Sequence, residues 1–75
     1  MGDGMITKLG VVSGEILTLF SEVKGPLCVR DIEVYLGEPS DIILMSLGWL
    51  IREGMVASVT MNEEHYYHLV RSEGF

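Results

Sequence analysis

Apolar residues recur at helical spacing through the first third of the chain. Leu9, Val12, Ile16, Leu19, Phe20 and Val23 fall on one stripe, which predicts an amphipathic helix from Met5 to Val23. Gly10 and Gly14 weaken its first half by about 1 kcal/mol each relative to Ala. Lys24-Gly25-Pro26 closes it, with Gly as the C-terminal cap and Pro as the stop. Residues 1–4 are expected to fray. Leu27 opens a short extended piece. Ile32 and Leu36, one helical turn apart, then predict a brief helix from Val29 to Leu36 that ends at Gly37. Pro39 suits the first turn of a third helix, where its missing N–H costs nothing. That helix runs to Arg52 or Glu53 and stops at Gly54. Met55 to Met61 and His65 to Val70 are rich in strand formers, and Asn62-Glu63-Glu64 separates them, so the chain closes with a β-hairpin.

Two helices joined by a tight Gly-containing turn form a helix-turn-helix unit. A hairpin after the second of them adds a wing. The expected architecture is therefore α+β: one winged helix-turn-helix domain over residues 1–75, with three helices, a short strand between the first and second, and a C-terminal wing. Which face of the wing turns inward stays open. Met55, Ala57, Val59 and Met61 are the more apolar alternating set, yet Val56, from the set with Ser58 and Thr60, fits the usual core position after the third helix.

The third helix carries the strongest functional signal because it is apolar on nearly every side. A helix covering one core needs an apolar stripe of about 100°. Ile43, Leu47 and Leu50, continued by Val56, supply it. Ile42, Leu44, Met45, Gly48 and Trp49 then fall on the outer side, and Ile51 is also left over. Interface cores favour Trp, Tyr, Phe and Met and are depleted in charge. Leu44, Met45, Gly48, Trp49 and Ile51 are accordingly the expected interaction surface, with Gly48 allowing close approach of a second backbone. The partner is another copy, giving a two-fold dimer, or a different protein. The competing reading buries these side chains inside one monomer, under the first helix and the hairpin.

Leu47-Gly48-Trp49-Leu50, then Arg52-Glu53-Gly54, then the hairpin resembles a small family of uncharacterised prokaryotic winged helix-turn-helix domains. Its pattern is roughly L-G-W-L-x-R-E-G on the third helix, and Gly14-Glu15-Ile16 on the first helix fits as well. The resemblance extends from about Leu9 to Val70. It implies the fold, and fold alone does not give function.

Charge argues against the most familiar use of such a fold. Five Lys and Arg face eleven Asp and Glu, for a formal charge of −6. Nucleic-acid affinity rests largely on cationic contacts to phosphate, and this field opposes them. A reading helix should also present polar side chains to base edges, whereas this one presents mostly apolar ones. The wing tip is acidic. Direct DNA binding, as a transcriptional regulator, is the second reading. Its candidate contacts are Lys24, Arg30, Ser40, Ser46 and Arg52.

Other chemistry is sparse. No acidic pair has the His, Ser or Lys partners that acid–base or nucleophilic catalysis needs, so no catalytic residue and no enzyme activity are expected. No phosphate loop or dinucleotide fingerprint occurs, so no cofactor is expected. His65 and His68, three apart on a strand, point to opposite faces and make a poor metal pair. A chain of 75 residues leaves little room for a small-molecule pocket beside its core. No apolar run approaches the roughly 18 to 20 residues that span a bilayer; the longest, Ile42 to Ile51, is half that length. No basic, apolar, small-residue leader opens the chain, so the expected location is cytoplasmic. Cys28 stands where an N-cap Ser or Thr would serve the second helix better; it is expected to be inert. Tyr35 is expected in the core, and one of Tyr66 and Tyr67 should pack inward while the other lies at the rim.

Overall fold

A computed structural model describes residues 2–70 of the chain. Three helices, α1 (Gly2–Glu22), α2 (Val29–Leu36) and α3 (Ser40–Arg52), are followed by an antiparallel hairpin of β1 (Val56–Met61) and β2 (Glu64–Leu69). This is the α+β, winged helix-turn-helix layout. α1 begins at Gly2, ahead of the expected start at Met5; Met1 lies outside the described residues. Contrary to the expectation that no apolar segment has spanning length, Gly4–Glu22 is long and apolar enough to cross a bilayer by length and mean hydropathy, because Gly, Thr and Ser between its apolar residues lower the average only slightly. Its buried residues Val12, Ile16, Leu19 and Phe20 form one side of the domain core.

The turn residues explain the element ends. Gly37 caps α2 in the left-handed region (φ 70°), and its N–H donates to the carbonyl of Glu33 at 2.8 Å. Gly54 (φ 79°) turns the chain out of α3 into the hairpin. At the hairpin tip, Asn62 (φ 52°) and Glu63 (φ 66°) are both left-handed, so the loop has two residues and Glu64 already belongs to β2. Positive φ at both central positions is what the strand twist demands of a two-residue hairpin loop. Asn tolerates it; Glu does so at a cost of roughly 1 kcal/mol.

The expected strand between α1 and α2 is reduced to one bridge. Leu27 alone pairs with Tyr67, each N–H donating to the other's carbonyl at 2.9 and 2.8 Å. That bridge is still structurally important, because it ties the wing to the start of α2 and seats Tyr67 against the core.

The α2 N-terminus is capped from the acid. The Asp31 carboxylate accepts from the backbone N–H of Cys28 at 3.3 Å and from its thiol at 3.4 Å. That is the return half of a capping box. A hydroxyl at position 28 is a better acceptor for the helix N–H groups than sulfur. Cys28→Thr is expected to leave stability unchanged or raise it, by up to about 1 kcal/mol. A urea titration checks this; a large loss would place the sulfur in tight packing instead.

α3 sits centrally, packed against α1, α2 and β1. Its buried residues are Ile42, Ile43, Ser46, Leu47 and Leu50. They join Val12, Ile16, Leu19, Phe20, Leu27, Ile32 and Val56 in one core. The wing contributes little to it. Only Val56 is buried in β1, and the rest of the strand is half-buried or exposed, because the hairpin extends past the helices. Met55, Val59 and Met61, the more apolar set, are exposed. Tyr35 is 59 % exposed, contrary to its expected core role: it borders an open groove between α1 and α2 and does not enter the core.

Candidate interaction surface on the third helix

The five residues expected to form an interaction surface all lie outside the core. Trp49 is 58 % exposed and Leu44 49 %. Met45, Gly48 and Ile51 are exposed as well. A Cβ added at Gly48 would meet nothing within 4 Å, so no neighbour inside the monomer explains the glycine. Spacing explains the arrangement. Asp41, Met45, Gly48 and Arg52 recur at the helical interval and run down the outward ridge. Leu44 and Ile51 flank that ridge on one side and Trp49 on the other.

Both flanks continue onto neighbouring elements. Trp49 closes an apolar concavity of about 360 Å³ with Ile6, Leu9, Gly10 and Ser13 of α1. Leu44 lines a shallower depression with Val29 and Arg30 of α2 and His65 and Tyr67 of β2. A broader, open groove of about 720 Å³ runs between α1 and α2, past Val11, Thr18 and Tyr35. The molecule thus has surface concavities of several hundred Å³, which the size argument from sequence did not anticipate. Two of them lie along α1, one against α2 and one against Trp49 of α3.

Two sequence assignments on α3 are corrected. Ile42, expected outside, is 8 % exposed and belongs to the core. Ser46, a candidate DNA contact, is fully buried and unable to reach a base. The reason is common to both. α3 is covered from more than one side, so its buried arc is wider than the stripe that a single neighbour requires.

Ser46 Oγ and Ser13 Oγ are buried without a hydrogen-bond partner among the described residues. Leaving a buried hydroxyl unpaired costs roughly 1–3 kcal/mol, and Ala is the better helix former. Ser46→Ala is therefore expected to stabilise the domain by about 1 kcal/mol. Its urea midpoint checks this, and a clear loss of stability would mean that the hydroxyl is paired.

The remaining DNA candidates do not gather into one cationic strip. Ser40 and Arg52 stand at opposite ends of α3, roughly 18 Å apart along the axis at about 1.5 Å per residue. Lys24 follows α1, and Arg30 is exposed on α2. At the wing, Glu63 and Glu64 are exposed. The Tyr66 hydroxyl donates to Glu64 at 3.2 Å, and this hydrogen bond, with the carboxylate's charge, raises the phenol's pKa above its ordinary value. Lys8 pairs with Glu38 at 3.1 Å, bracing α1 against the turn before α3. No group of three or more His, Cys, Asp or Glu side chains is placed to hold a metal ion among the described residues.

No protein-family model, curated protein or solved structure matches this chain.

Proposed function

We propose that this winged helix-turn-helix domain is a protein–protein interaction module of transcription-regulator type, working through the outward face of α3. The observation that carries the reading is the exposure of Leu44, Met45, Gly48, Trp49 and Ile51 on the helix that a DNA-binding relative would place in the major groove. A contiguous exposed apolar patch on a small domain marks a contact surface. Its composition, with Trp and Met and little charge, is that of an interface core. A cytoplasmic, non-enzymatic role belongs to the same reading.

Direct DNA binding is the second reading, favoured by the fold and by Lys24, Arg30, Ser40 and Arg52 being exposed. The two separate by salt. Association through the apolar face changes little between 50 and 200 mM salt and survives Arg52→Ala with modest weakening. DNA binding falls steeply over the same range, as phosphate contacts release counterions. Titration of a labelled duplex pool and light scattering of the protein, run at both salt concentrations, decide between them. Salt-sensitive duplex binding lost in Arg52→Ala overturns the interaction reading.

A further inference from the structure

We propose that the occupant of the α3 face is α3 of a second copy of this chain, lying antiparallel across it about a two-fold axis. This rests on the interaction-module reading and adds the partner and the register. The carrying observation is the symmetry of the outward ridge. Asp41 and Arg52 lie equally far from a point between Ser46 and Leu47, and so do Met45 and Gly48. All four are exposed and share one helical ridge.

A two-fold interface must be self-complementary, and in antiparallel register this ridge is. Asp41 of each copy faces Arg52 of the other, at both ends of the contact. Met45 of each copy enters the space left by Gly48 of the other. Trp49 of the second copy then lies beside Met45, a favourable sulfur–aromatic pairing, and Ile51 of the second copy lies beside Leu44. A parallel pairing would instead set Asp41 against Asp41 and Arg52 against Arg52. Neither Asp41 nor Arg52 has an ion-pair partner among the described residues; one Asp41 carboxylate oxygen accepts from the Ile42 N–H at 2.8 Å, which leaves the other for the guanidinium of a second copy. Gly48, like Gly10 and Gly14 of α1, has no neighbour within 4 Å that requires a glycine and weakens its helix, but it alone of the three lies on the outward ridge of α3. Close approach of another backbone accounts for it.

The test is sedimentation equilibrium of the full chain from roughly 0.01 to 1 mM. It includes the wild type, Asp41→Arg, Arg52→Asp, the double variant D41R/R52D, an equimolar mixture of the two single variants, Gly48→Leu and Met45→Glu. Circular dichroism melts confirm that each is folded. The wild type is expected to dimerise. Each single charge reversal turns two attractions into two repulsions and weakens the dimer on the order of tenfold. The double variant and the mixture both restore it, because each recreates opposite charges at both ends. Gly48→Leu leaves the monomer folded, with no lower melting temperature, and abolishes dimerisation.

A wild type that stays monomeric throughout overturns self-pairing. A dimer lost in Met45→Glu yet indifferent to the charge reversals, or a double variant as weak as the singles, overturns the antiparallel register and leaves the interaction surface standing. A dimer that Met45→Glu leaves intact overturns the surface and the register together.

Discussion

Ile43→Ala is expected to unfold most of the protein at 37 °C, while Leu44→Ala, one residue along, leaves it folded. Ile43 is fully buried in the core, and Leu44 is 49 % exposed. Truncating a buried Ile to Ala loses the transfer free energy of the removed carbons and leaves a cavity, together about 2–5 kcal/mol. A single core of this size rarely supplies more than roughly 3–5 kcal/mol of net stability. The first substitution therefore consumes most of what is available. The second removes surface that is already half in water, and Ala favours the helix. Urea titrations followed by far-UV circular dichroism measure both. Equal losses would mean that α3 is rotated about its axis relative to the arrangement described, and the outward face would have to be reassigned.

Met45→Glu is the second large effect, and it falls on association. Met45 is 43 % exposed, so a carboxylate there stays hydrated in the monomer and the melting temperature moves little. At an apolar contact the same carboxylate would be buried without a partner. That costs several kcal/mol, which corresponds to a hundredfold or greater loss of affinity. Molar mass from light scattering at several concentrations reads it directly. Trp49 fluorescence gives an independent measure, since its emission should shift to the blue as the wild type associates and stay red in the variant. Concentration-independent mass with a solvent-exposed Trp49 in the wild type would rule out self-association and direct the search to a different protein partner.

Ile43 tests whether the helix is oriented as described, and Met45 tests what its outward side is for. Ser46→Ala lies between them: it probes a position that the helical period alone assigns to either side.

Much of this architecture is legible in the sequence because it is governed locally. α2 spans Val29–Leu36 as expected, since Gly37 reverses the backbone and Asp31 caps the start. α3 ends where Gly54 requires it to. The hairpin follows from two runs of strand formers with a turn between them, although its loop is shorter than expected because Glu63 accepts a left-handed conformation. The candidate surface was legible as well: once Ile43, Leu47 and Leu50 are turned inward, the helical period sends Met45, Gly48 and Trp49 out.

Tertiary structure alone decided the rest. Ile42 and Ile51 are the same residue type on one helix, yet one is core and the other surface. A helix apolar on nearly every side has no period sharp enough to choose between them, so the choice falls to how many neighbours cover it. Ser46 is buried for the same reason, against the usual meaning of a serine near a reading helix. Tyr35 is exposed because the groove between α1 and α2 that it borders stays open to solvent. The chain by itself determined the bounds of α2 and the end of α3, since caps and turns act over a few residues. How α3 rolls, and therefore which of its apolar side chains remain available to a second molecule, was decided only when α1, α2 and β1 closed around it.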